Sequence, residues 1–195
     1  MLKASLMISF WSVAFSIALA ACSTPTAVVI PTKGITIVPT PTTSLVMYQD
    51  VANKFELTYS KSDFYIEAHK SPDLAVDFLV NIEDNFRGKN LEEVRVSIAV
   101  NRECHFIWGY GATALIESAT INGISFTRYS ARDSATSTNV FETITYQTSH
   151  HRNCYEIHTS IREYVLEVFP NLTEYSRSLL DTKLDGLIKT FRFIE

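Results

Sequence analysis

The sequence predicts an α+β domain, an antiparallel β-sheet packed with a carboxy-terminal α-helix, over residues 45–195. Three observations predict it. Apolar residues recur with a period of two, as at Leu74, Val76, Phe78 and Val80 and again at Val94, Val96, Ile98 and Val100, which places them on one face of a strand. Asn122-Gly123 stands between two such runs, and both residues tolerate the positive φ of a type I′ hairpin turn. Near the end the period changes, and Leu180, Leu184, Leu187, Ile188 and Phe191 fall on one helical face. Hairpin-joined strands followed by one helix make an antiparallel domain rather than a βαβ one.

At the amino terminus, Lys3 is the sole charged side chain before Lys33, and it precedes an apolar run from Ala4 to Leu19. That is the pattern of an export signal, and the run is shorter than the roughly 20 residues of a good membrane span. Leu19-Ala20-Ala21-Cys22 closes it. These four residues resemble the lipobox of bacterial lipoproteins. The resemblance implies lipid on the Cys22 sulfur, removal of residues 1–21 as a signal peptide, and acylation of the new amino terminus. Several acyl chains, at about 0.8 kcal/mol per buried CH₂, anchor a protein stably. The expected location is therefore the cell membrane, with the membrane as partner through Cys22 and the rest of the chain facing outside the cytoplasm.

Residues 22–44 read as a tether. They hold Pro25, Pro31, Pro39 and Pro41, many threonines, and Lys33 as their only charge, a composition that stays extended at up to about 3.1 Å per residue. Beyond it, Phe55 to Tyr59 reads as the first strand and Asp63 to His69 as the next. Ser71-Pro72-Asp73 is a turn, and Arg87-Gly88-Lys89-Asn90 a break. Around Asn122-Gly123 the register sets Ile121 against Ile124, Ala119 against Phe126, and Glu117 against Arg128.

A second hairpin looped at Ser149 to Arg152 would pair Tyr146 with Tyr155, Ile144 with Ile157, and Val140 with Ile161. Thr143, Thr145, Gln147, Cys154, Glu156 and His158 then occupy the opposite face. Asn171 or Thr173 is the expected helix cap, with Glu174 in the first turn and Lys183 and Lys189 in the last. Thr190 to Ile194 reads as a short closing strand. With Cys22 assigned to lipid, Cys104 and Cys154 remain, and in an oxidising compartment such a pair is expected to be a disulfide.

Tyr48-Gln49-Asp50 leading into Phe55-Glu56-Leu57-Thr58-Tyr59, the Asn122-Gly123-Ile124-Ser125-Phe126 hairpin, Cys154-Tyr155-Glu156-Ile157, and a final helix running into Phe191-Arg192-Phe193 resemble the PsbP-like family, especially its bacterial lipoprotein members. The resemblance implies a sheet-and-helix fold. It departs after the first strand, where Ser60-Lys61-Ser62 stands in place of the family's usual proline and tryptophan. It implies no activity here, because the photosystem role of the plant members rests on residues this chain does not match.

The formal charge of −4 comes without a basic stripe, so no nucleic-acid partner is expected. Gly109-Tyr110-Gly111-Ala112-Thr113-Ala114 fits a dinucleotide fingerprint, with Asp133 downstream. That reading would need a crossover helix from Ala112 to Ile121, which runs straight into a hairpin turn. His69, His105, His150, His151 and His158 lack metal-ligand spacing, since Cys154 and His158 on one strand lie about 13 Å apart. No G-x-S-x-G elbow occurs, and Ser130-Ala131-Arg132-Asp133 lacks its glycines. Glu92-Glu93 and Asp181/Asp185 are carboxylate pairs of the commonest exposed kind.

The expected function is a non-catalytic binding or accessory module of the cell envelope, without cofactor or metal, whose partner is an envelope protein or a small ligand. The alternative is an exported hydrolase with a site assembled from scattered residues. The candidate recognition surface is the hairpin end, where a bond to Cys154 draws His105, Trp108 and Tyr110 beside His150, His151 and Arg152; the competing reading has Trp108 covering the sheet and the histidines solvated.

Overall fold

The computed structural model describes residues 44–68, 74–104, 115–133 and 136–195. The chain divides into Met1–Thr40 and Pro41–Glu195, and every described residue belongs to the second unit. Cys22, the tether apart from Ser44, and the turn at residues 71–73 lie outside the described residues.

Among the described residues, ten strands form two antiparallel sheets. The small sheet has the order β1-β2-β10, from Leu45–Asp50, Phe55–Ser60 and Arg192–Phe193. The large one runs β3-β4-β5-β9-β8-β7-β6, from Phe64–Glu67, Leu74–Val80, Leu91–Asn101, Asn153–Tyr164, Asn139–His150, Ile124–Asp133 and Leu115–Ile121. One four-residue helix, α1 (Ile82–Asn85), precedes β5, and α2 (Arg177–Ile188) precedes β10. The antiparallel class and the late helix agree with the sequence reading, but a second sheet makes the domain richer in strand than an ordinary α+β fold.

One face of the large sheet carries Val76, Phe78, Val94, Val96, Ile98, Phe126, Ile157 and Ile161 into the core. Phe55, Leu57 and Tyr59 of β2 and Leu180, Leu184, Leu187 and Ile188 of α2 join them there. Each such side chain contributes about 1.5–3 kcal/mol on burial. The opposite face holds the polar residues.

Both hairpins form, with different fidelity to expectation. Ile121 pairs with Ile124, Ala119 with Phe126, and Glu117 with Arg128, and Asn122 and Gly123 adopt φ of 48° and 81°. In the second hairpin the turn is the two residues His151-Arg152, at φ of 48° and 67°. Tyr146 therefore pairs with Ile157, Ile144 with Thr159, and Val140 with Glu163, a slip of two residues from the expected register. A slip of two leaves every side chain on its expected face.

Two further expectations are corrected. The first strand of the domain is β1, whose pairing with β2 runs from Leu45↔Ser60 to Asp50↔Phe55. The helix cap is Ser176, whose hydroxyl accepts from the Leu179 N–H at 3.3 Å. Thr173 instead bridges toward the α1–β5 connection, where its N–H donates to the Gly88 carbonyl and its hydroxyl accepts from Lys89 Nζ. Glu174 lies outside the helix, Lys189 is its C-cap, and Lys183 on the body of the helix pairs with Asp63.

Candidate functional site

A cleft of about 280 Å³ opens between α2 and strands β7, β8 and β9 of the large sheet. The register sets Thr159 of β9 beside Ile144 of β8, and Tyr146 beside Arg128 of β7. From the helix come Arg177, Asp181, Leu184, Asp185 and Ile188, at the one-turn spacing of a single face. The walls are therefore apolar, with Ile144, Leu184, Ile188 and the Tyr146 ring, and the rim is charged. Arg128 lies 6.0 Å from the Tyr146 ring centroid and pairs with Glu117 at 2.9 Å. Thr159 is 1% exposed, and its Oγ1 has no hydrogen-bond partner among the described residues.

One end of the cleft is fixed by an ion network. Arg177 grips Glu142 through two bonds, of 2.6 and 2.8 Å, and donates from Nε to Asp181 at 2.8 Å. Arg132 bridges Glu142 and Glu163, and the Tyr175 hydroxyl donates to Glu163 at 2.8 Å. Burial pushes the Glu142 carboxyl up, but the bonds and charge of Arg177, with Arg132 and Arg128, outweigh it and hold the group below its usual range. The bonds to Glu142 raise Arg177 further above its ordinary value. Burial and the bond to Glu163 push the Tyr175 phenol up to about 12.

The opposite face of the large sheet carries a second concentration of chemistry. Asp77, Ser97, His158 and Thr145 stand side by side on β4, β5, β9 and β8, and all four are buried. These include the residue types of a hydrolytic triad, but Ser97 lies between the acid and the base. The partners differ as well. Asp77 Oδ2 accepts from Arg95 at 3.2 Å, and His158 Nδ1 shares a 2.9 Å bond with the Thr145 hydroxyl. Burial lowers His158 to about 4, although the Asp77 charge works the other way.

The sign of the linkage follows from that value. His158 stays neutral in the folded chain, while the unfolded chain takes up a proton below 6.5. Stability should thus fall as pH drops from about 6.5 to about 4, by on the order of 3 kcal/mol. Urea midpoints across this window should show the slope, and His158→Gln should remove that part of it. An identical slope in the variant would assign the effect to other groups.

The sequence-derived surface is placed in part. Cys104 and Cys154 are bonded, with Cα atoms 5.0 Å apart, so the chain at Cys104 does reach the hairpin end. His105, Trp108 and Tyr110 lie outside the described residues. His151 and Arg152 are exposed in the turn. His150 is half-buried, its ring stacked 3.8 Å from Phe193 at 7°, so it covers the core edge instead of projecting as a second solvated imidazole.

Other singled-out residues are spent locally. Glu92 accepts from Asn139 and pairs with Arg162, Asp185 pairs with Lys189, and Arg132 belongs to the ion network. Leu115–Ile121 is a strand in an antiparallel sheet, which removes the helix that a dinucleotide fingerprint needs. Among the described residues, no group of three His, Cys, Asp or Glu side chains is arranged to hold a metal ion, and no helix is long and apolar enough to cross a membrane. The cleft was not foreseen. Thr159 and Arg128 carry no local motif, and only the α2 register joins them to Asp181.

No family model matches the chain, and the comparison with curated proteins finds no match. Among solved structures the chain is similar to the solution structure of cyanobacterial PsbP (CyanoP) from Synechocystis sp. PCC 6803. That similarity is at 15% identity, covering 77% of this chain and 93% of that one, with a TM-score of 0.46.

Proposed function

We propose that this protein is an extracytoplasmic lipoprotein, anchored through Cys22, whose PsbP-like domain is a non-catalytic binding or accessory module of the cell envelope. The observation that carries the reading is the Cys104–Cys154 disulfide. Such bonds persist in oxidising compartments, and this one leaves Cys22 as the one cysteine of three outside it. The apolar run ending in Leu19-Ala20-Ala21-Cys22 supplies both the route of export and the lipid acceptor. The PsbP-like assignment rests on the sequence motifs around Tyr48, Asn122 and Phe191.

Binding is favoured over hydrolysis by what the titratable groups do. Asp77 is engaged by Arg95 and His158 by Thr145, and His158 is held neutral over the physiological range. The carboxylates near the cleft are taken by Arg177, Arg132 and Lys189. A general acid–base pair needs groups that can reach a substrate.

The test expresses the chain in its own host with labelled palmitate and captures it from the envelope. The wild type should carry label, run at the mass of a chain cleaved before Cys22, and bring down a reproducible envelope partner. Cys22→Ala should lose the label and remain unprocessed. Unchanged labelling and mass in the variant would reject the anchor, and capture of nothing above background would reject the accessory role.

A further inference from the structure

We propose that two copies of this chain pair edge to edge through β1, antiparallel, with Met47 on the two-fold axis. The strength of that pairing rests on the lipid anchor at Cys22, and its geometry does not.

β1 is an outer strand of the small sheet, and among the described residues no strand pairs with its free edge. The ladder to β2 tells which of its main-chain groups point that way. The Lys61 N–H donates to the Ser44 carbonyl at 3.3 Å, and antiparallel ladders bond at every second residue, so Val46, Tyr48 and Asp50 also turn their N–H and C=O toward β2. Thr58, which lies opposite Met47, instead uses both its N–H and its C=O on the Thr190 hydroxyl. Leu45, Met47 and Gln49 therefore present their main-chain groups to the outside.

Sheet edges are normally guarded against further pairing by shortness, charge, proline or a bulge. β10 has two residues, β3 has four and carries Glu67, and β6 carries Glu117. From Leu45 to Gln49, β1 holds no charge and no proline, and its register with β2 is unbroken. Leu45 is 68% and Met47 56% exposed. This edge is the unguarded one.

A second copy of β1 fits it in one register. With Met47 opposite itself, Leu45 opposes Gln49 of the second copy, and two bonds at each opposed pair give about six main-chain hydrogen bonds. Moving the axis to Val46 or Tyr48 sets one of the three free residues against a position outside β1. The Met47 axis also brings Ser44 against Asp50 of the second copy, so no like charges meet. On the outer face, Leu45 and Met47 of both copies join in one apolar strip.

A contact of one short strand per copy is smaller than the roughly 1,200 Å² of a stable interface, so the dilute chain in detergent should be monomeric. Confining copies to one bilayer raises their effective concentration as a linker does.

The test places a reporter on the axis. Full-length, acylated Met47→Cys chain is reconstituted in vesicles of phosphatidylethanolamine and phosphatidylglycerol, oxidised with copper phenanthroline, and run on a non-reducing gel. The opposed Cα atoms would lie about 5.5 Å apart, within disulfide range, so most of the chain should run as a dimer. In Leu45→Cys the substituted positions lie about 13 Å apart along the strands and should cross-link about tenfold more slowly. Leu45→Cys/Gln49→Cys should cross-link readily, and adding Met47→Lys, which sets two ammonium groups on the axis, should slow it several-fold. Leu45, Met47 and Gln49 are exposed, so these variants leave the core intact.

Equal rates for Met47→Cys and Leu45→Cys, or no dimer of Met47→Cys, overturn the proposal. Vesicle flotation before oxidation separates pairing from anchoring. A chain that does not float defeats the anchor, and the same comparison at about 1 mM chain in detergent then decides the pairing.

Discussion

Reduction of the Cys104–Cys154 bond is expected to cost about 4 kcal/mol. The bond spans 50 residues, and opening it frees that loop in the unfolded chain. It also releases the start of β9, where Cys154 is buried and pairs with Asn101 on one side and Ser149 on the other. For a domain of this size the melting temperature should drop by on the order of 10 °C. Thermal scans with and without reductant measure it, and the Cys104→Ser/Cys154→Ser variant should match the reduced wild type. A drop smaller than about 2 °C would show that the β5–β9 and β8–β9 pairings already constrain this end.

Phe191→Ala should cost about 3–5 kcal/mol. Phe191 has no exposed surface, and its ring centroid lies 5.6 Å from Phe55, 6.0 Å from Phe126, 6.4 Å from Tyr155 and 5.4 Å from Phe193. These partners come from β2, β7, β9 and β10, so the truncation leaves a void touching both sheets. The alanine variant should unfold at a much lower urea midpoint, and Phe191→Leu should recover part of the loss. A shift equivalent to less than about 1 kcal/mol would mean that the cluster collapses around the missing ring.

The parts of this fold legible in the sequence are those where one residue type admits one geometry. Asn122-Gly123 announces its turn because both residues reach positive φ cheaply, and the register that follows is the observed one. His151-Arg152 makes the same kind of turn from residues that rarely do so, hence the two-residue slip. The strand β1 escaped notice because alternate half-burial at Val46, Tyr48 and Asp50 gives a weak signal next to a tether. Asn171 and Thr173 are good caps on composition, but Thr173 is held by Gly88 and Lys89, and tertiary bonds override local preference.

The candidate site was less legible for a physical reason. The cysteine pair could be found by elimination, and the hairpin end by its aromatic and basic residues. The cleft assembles Arg128, Thr159 and Asp181 from three elements, and no spacing along the chain encodes their proximity. The polar face was visible as a pattern at Thr143, Thr145, Glu156 and His158. Its burial was not, because alternation alone normally means one wet face.

The small sheet sets the last two-residue strand against β2, near the start of the domain. Arg192 pairs with Glu56 and Phe193 with Phe55, and the Thr190 hydroxyl donates to the Thr58 carbonyl across 132 residues. A ribosome delivers these partners 132 residues apart. Until α2 and Phe191 emerge, Phe55 and Leu57 lack the aromatic ring and the leucines that cover them in the finished domain. Closing so long a loop is an entropic cost that precedes its reward. A growing chain of this topology therefore has no early stopping point at which its core is sealed, and that core stays open until Phe191 and β10 have been made.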